Sequence, residues 1–187
     1  MRARHFLLVL CLSPCLLSGQ VVSGSDTLKR VSYTFPDGTI SGEGFLKNEI
    51  PWGFWMNFYE SGKIKSQGNL ISGKTDSTWK FYNENGFLSM RVDYDLGRKN
   101  GLREVFSDSG IIKSRENFLD DTLNGKAEKF DKKGNIQAIV FFQNGKENGN
   151  AAELSDDGRI INIIEYKNGL ILRKTRVNRF DKQQQRT

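Results

Sequence analysis

Apolar residues return along this chain at intervals of 24. One column holds Phe58, Tyr82, Phe106, Phe130 and Leu154; a second holds Ile40, Ile64, Leu88, Ile112, Ile136 and Ile160; a third holds Leu46, Leu70, Tyr94, Phe118, Phe142 and Tyr166. Glycine keeps the same interval at 38, 62, 86, 110, 134 and 158, and again at 53, 101, 125 and 149, with Ser77 in one place of that series. A last column runs Gly73, Gly97, Asp121, Gly145 and Gly169. Self-similarity at a fixed period of this size marks a repeat architecture. Inside a unit, apolar and polar residues alternate over short runs such as Leu88 to Tyr94, and Asn85-Gly86 precedes that run as a turn signal. Glycine interrupts every stretch before three helical turns accumulate, and no segment sustains a 3.6-residue period. No proline follows Pro51, which suits an unbroken ladder of paired strands. The pattern predicts an all-β fold, an elongated antiparallel sheet of about six tandem 24-residue β-hairpin repeats with about twelve strands.

A type I turn with glycine in the left-handed position sets the residue four before that glycine opposite the residue two after it. Phe58 then faces Ile64, Tyr82 faces Leu88, Phe106 faces Ile112, Phe130 faces Ile136 and Leu154 faces Ile160. This stripe is the expected core. The face behind it reads as polar in the middle units, with Arg103, Lys113, Arg115 and Asn117. Towards the start it carries Trp55, Trp79 and Phe81, flanked by Val105; towards the end it carries Ile139, Phe141, Ile161 and Ile163. Trp55, Trp79 and Phe81 are the candidate partner-binding residues, because a large exposed apolar patch marks a contact. The competing expectation is that the chain's own ends fold over either patch as caps. Gly42 and Gly44 replace bulkier residues in the first unit, as end units of arrays are usually atypical.

Composition changes this picture mainly at the two ends. Arg2 and Arg4 precede an apolar run from Phe6 to Leu17, and small residues follow at Ser18-Gly19 and Ser23-Gly24. That arrangement predicts a secretory signal peptide over residues 1–24, too short for a membrane span, and hence an exported, periplasmic or extracellular protein. Its removal takes away Cys11, Cys15 and His5, the chain's only cysteines and histidine, and with them thiol or imidazole nucleophiles and typical zinc sites. The repeat array, placed at 25–170, carries 20 Lys/Arg against 21 Asp/Glu, whereas 171–187 carries six bases against Asp181. A balanced body lacks the basic face that nucleic acid requires. The basic tail, through Arg173, Lys174, Arg176 and Arg179, is a candidate contact for anionic lipid, with a solvated terminus as the blander expectation.

Residues 94–101 (Tyr-Asp-Leu-Gly-Arg-Lys-Asn-Gly) and 142–149 (Phe-Gln-Asn-Gly-Lys-Glu-Asn-Gly) resemble the Y-x-x-G-K-x-x-G core of MORN repeats. The 24-residue unit is similar to the bacterial MORN variant, over residues of about 31 to 170. Asp121 and Ser77 depart from the glycine pattern, which implies altered turns in those units. The resemblance implies an extended sheet of hairpins, mostly without catalytic activity, used for protein or phospholipid association; bacterial members are often labelled antitoxin-like. The expected function is therefore a non-enzymatic exported scaffold for a protein partner, with no cofactor and no metal. The alternatives are an antitoxin-like neutraliser or a phospholipid-associating module acting at a membrane surface through the tail.

Two motifs suggest chemistry and are set aside. Gly68 to Thr75, GNLISGKT, satisfies the phosphate-loop pattern. Thr75 leads into the strand-like Trp79-Lys80-Phe81-Tyr82 where a phosphate loop needs a helix, and Gly73-Lys74 is in step with Gly97-Arg98 and Gly145-Lys146. No nucleotide binding is expected, and Gly68 reads as an accident of one unit. The carboxylate pairs Asp120-Asp121 and Asp156-Asp157 fall at turns, where Asp is favoured for its backbone hydrogen bonds.

Overall fold

A computed structural model of the chain describes residues 27–177. The leader expected at 1–24, and Arg179 of the tail, lie outside those residues. The strands are β1 (Leu28–Thr34), β2 (Ile40–Lys47), β3 (Ile50–Phe58), β4 (Ile64–Ile71), β5 (Lys74–Tyr82), β6 (Leu88–Asp95) and β7 (Arg98–Phe106). They continue with β8 (Ile112–Leu119), β9 (Thr122–Phe130), β10 (Ile136–Gln143), β11 (Lys146–Glu147), β12 (Gly149–Leu154), β13 (Ile160–Lys167) and β14 (Leu170–Arg176). All lie in one open antiparallel sheet, paired in chain order; β11 and β12 follow one another on the same side of β10 and are interrupted at Asn148. The all-β array of hairpins expected from the period is the fold observed.

Two kinds of turn alternate. At one end of each hairpin, Gly62 donates to the Tyr59 carbonyl and Tyr59 to that of Lys63, and the same pair of bonds recurs at Gly38, Gly86, Gly110, Gly134 and Gly158. At the other end sit two-residue turns with both residues at positive φ. Asp121 does not alter its turn: with Asp120 it adopts φ of 63° and 48°, inside the range that Asp tolerates, and its N–H donates to the Lys99 carbonyl as its glycine counterparts do. Ser77 likewise keeps a positive φ, 57°, in the bulge that Gly53 and Gly101 occupy elsewhere.

The array extends beyond the boundary expected at residue 170. Leu170–Arg176 is strand β14, hydrogen-bonded to β13, because Asn168-Gly169 makes the same turn as Asn144-Gly145 and starts one more unit.

Face assignment is where the structure departs furthest from the pattern. The predicted tip pairs exist, Phe58 with Ile64 through Leu154 with Ile160. Their side chains are only half-buried, however, and Ile160 is exposed. The buried apolar residues are Leu46, Trp55, Trp79, Val92, Ala151 and Ile164. A register shift beside each tip also divides the face behind the tip pairs. Val105 pairs with Ser114 and Phe106 with Ile112, which leaves Lys113 as an extra residue. One extra residue reverses the face of everything counted past it. Arg103 consequently lies opposite Glu116 on one face, while Arg115 lies opposite Glu104 on the other. The aromatic and aliphatic patches, expected on one face, are on opposite faces.

Candidate interaction site

Cross-strand partners share a face, so the pairing traces a continuous row. On one face it runs Val31, Gly44, Trp55, Gly68, Trp79, Val92, Arg103, Glu116, Ala127, Val140, Ala151, Ile164, Lys174. On the reverse face the row runs Met56, Gln67, Lys80, Arg91, Glu104, Arg115, Glu128, Ile139, Ala152, Ile163, Thr175.

Trp55 and Trp79 are not an open patch. They retain 7% and 5% of their surface and form the core with Leu46, packed by Val31, Leu70, Phe81 and Tyr94. Each indole lies across a glycine of the neighbouring strand. A Cβ on Gly44 would stand 2.4 Å from the Trp55 ring, and one on Gly68 would stand 2.5 Å from that of Trp79. Each indole N–H donates to a backbone carbonyl, Trp55 Nε1 to Phe45 O at 3.1 Å and Trp79 Nε1 to Asn69 O at 2.8 Å. Tyr33 of β1 stacks on Trp55 with ring centroids 6.3 Å apart. The patch is closed within the sheet rather than by a folded-back terminus: β1 pairs in plane with β2, its Tyr33 flanks Trp55, and the indoles lie on their glycine seats. Phe81 is half-buried at 6.2 Å from the Trp79 ring.

The same seats dispose of the phosphate-loop pattern and correct the reading of Gly68, which is the seat of Trp79 rather than an accident. The Gly73 N–H donates to the Pro51 carbonyl at 2.9 Å, so it is already used in the sheet, and Lys74 begins β5. No arrangement of three or more His, Cys, Asp or Glu fit to hold a metal occurs among the described residues.

The middle of the reverse face is an ionic ladder. Glu104 is buried between Arg91, at 2.7 Å, and Arg115, at 3.0 Å; Glu128, also buried, takes Arg115 at 3.1 Å and Lys126 at 2.6 Å. Burial alone would raise the Glu128 pKa, but hydrogen bonds from Lys126 and Arg115 outweigh it and hold the carboxyl below its usual 4.5. The Glu104 hydrogen bond raises Arg115 above its already high value. Beyond the ladder the row turns aliphatic, and Phe141, Ile161 and Ile163 remain 43%, 40% and 39% exposed. Of the tail bases, Arg173 pairs with Glu165 at 2.9 Å and Lys174 with Glu153 at 3.1 Å, while Arg176 is exposed at the end of β14.

The indole face has a second region. Past the Arg103–Glu116 ion pair, at 2.7 Å, a shallow trough of about 390 Å³ opens over β8, β9 and β10. Val105, Leu123, Ala127, Ala138, Val140 and Phe142 supply its apolar lining, and Lys113, Ser114, Glu116, Glu128 and Lys129 its polar part. Sequence reading missed it, although the column Trp55, Trp79, Arg103, Ala127, Ala151 was available to show indoles giving way to alanine.

The family model of the MORN repeat variant matches residues 55–71 and 123–144. Those two segments are MORN-type repeats. Of the two MORN segments, one contains Trp55 and Gly68 and the other contains Ala127 and Val140, so the repeat spans both the filled and the open parts of the face. MORN repeats are generally protein- or membrane-interaction modules. No curated protein matches the chain.

Proposed function

We propose that this protein is a non-enzymatic, exported MORN-repeat scaffold that binds a protein partner in the bacterial envelope or outside the cell. The observation that carries the reading is the exposed apolar surface of Phe141, Ile161 and Ile163 on the reverse face. Exposed apolar side chains gathered on one face mark contacts. The partner surface thus moves from the tryptophans to the C-terminal units. Export is supported by the basic and apolar pattern of residues 1–24.

The test is affinity capture of the mature protein from its own envelope fraction and medium, with Phe141→Asp/Ile163→Asp as the comparison. A stoichiometric partner held by the wild type and lost by the folded double variant is the expected result. A partner retained in full by the variant would remove this surface from the reading. An antitoxin-like role is the narrower version, and it requires a tight one-to-one complex with a toxic protein. Lipid association through the tail has less support, because Glu165 and Glu153 already neutralise Arg173 and Lys174. It predicts salt-sensitive binding to anionic vesicles that disappears when residues 178–187 are deleted.

A further inference from the structure

Resting on the scaffold reading, we propose that the trough over Ala127 receives an aromatic side chain carried on an acidic, extended segment of the partner. Positions 55, 79, 103, 127 and 151 are equivalent in the repeat. The first two supply indoles that lie flat on the sheet; the last two supply only Cβ methyl groups, and the surface above Ala127 is open. Its floor is apolar, from Val105 and Leu123 to Val140 and Phe142. Glu116, the cross-strand partner of Ala127, is hydrogen-bonded to Arg103 of β7, on the far side of β8 from Ala127. The carboxylate lines the trough but is paired with Arg103, and Glu128, which also lines it, is paired with Arg115 and Lys126. Trp55 and Trp79 lie over Gly44 and Gly68, whereas the matching position beside Ala127 is Glu116, so the incoming ring rests on Ala127, Ala138 and Val140 instead.

Charge selects the segment that brings the ring. The other bases around the site are neutralised: Arg103 by Glu116, Arg115 by Glu104 and Glu128, and Lys126 by Glu128. Lys129 lies opposite Ser114 and Ala138 at the rim, and Lys113 is the extra residue of the adjoining bulge. Both also line the neighbouring concavity towards Phe130, and neither has a carboxylate within ion-pair distance among the described residues. Two ammonium groups with no ion-pair partner among the described residues, beside an apolar floor, favour an aromatic residue with carboxylates close by in sequence.

The probe is an acetylated and amidated pentapeptide, Ser-Glu-Trp-Glu-Ser, titrated into the mature protein while the methyl resonances of Ala127, Ala138 and Val140 are followed. Saturable shifts at those methyls are expected. Affinity should fall about tenfold when the peptide Trp is replaced by Ala, and by a similar factor when its Glu residues are replaced by Lys. Lys129→Glu, at an exposed position, and Ala127→Phe, which fills the trough, should each weaken binding about tenfold. Should Ala127→Phe not fold, Lys129→Glu carries the test alone. An Ala peptide that binds as well as the Trp peptide, or binding untouched by the folded variants, overturns the proposal. A partner that survives Ala127→Phe but is lost with Phe141→Asp/Ile163→Asp overturns the trough and leaves the scaffold reading intact. A peptide that binds as described with no captured partner supports the trough and counts against the reverse-face surface.

Discussion

The two ends of the indole face share a backbone and differ in how they are filled. Around Trp55 and Trp79, glycines 44 and 68 open the strand surface and the rings close it again, with both indole N–H groups hydrogen-bonded. Around Ala127 and Ala151 the pairing partners are Glu116, Val140 and Ile164, and part of the surface stays open. A repeat fixes strand spacing and turn geometry, because those depend on residues common to every unit. It leaves the contents of each column free, so one half of a face can serve stability while the other remains available for contact. The exchange is coupled: a large side chain in one column needs a small one in the column beside it.

That difference can be broken most directly at Trp79. Trp79→Ala should destabilise the protein by about 3–5 kcal/mol in urea unfolding, whereas Val140→Ala in the open half should cost about 1 kcal/mol. Equal losses would mean the two halves are not packed differently. Gly68→Ala should cost about 1–3 kcal/mol, since the added methyl meets the Trp79 ring. Combined with Trp79→Ala it should add almost nothing, a coupling that a double-mutant cycle reads directly. Additive losses would show that Gly68 is required for another reason.

The smallest expected effect concerns the ionic ladder between the halves. Glu128→Gln should cost about 1–2 kcal/mol, as the buried carboxylate is lost while Arg115 keeps Glu104. The folded pKa of Glu128 lies below 4.5, so its contribution is fully present above pH 4.5 and disappears as the pH falls through the folded value. Acid unfolding monitored below pH 4.5 should therefore be shallower in Glu128→Gln than in the wild type. An unchanged slope would assign acid sensitivity to other carboxylates.

Much of the architecture was legible without the structure. Turn glycines, the succession of hairpins and the pairing of Phe58 with Ile64 all follow from local chemistry repeated at 24-residue intervals. The candidate site was legible only in part. Phe141, Ile161 and Ile163 are exposed among the described residues, but the tryptophans were assigned to the surface because the tip pairs read as the core. A one-residue bulge after each tip, invisible to period-two counting, put Arg115 and the C-terminal isoleucines on the other face. Arg173 and Lys174 read as a free tail because nothing near them in sequence announces Glu165 across a hairpin or Glu153 two strands away.

The sequence by itself determined a sheet of hairpins, its direction of growth and the turns that limit each strand, since these rest on backbone preferences within a few residues. Only the tertiary structure decided which face is core, why Gly44 and Gly68 must be small, and where the face stays open. Those outcomes depend on the bulge that resets alternation and on contacts between residues eleven apart in sequence and one strand apart in space, which no local preference encodes.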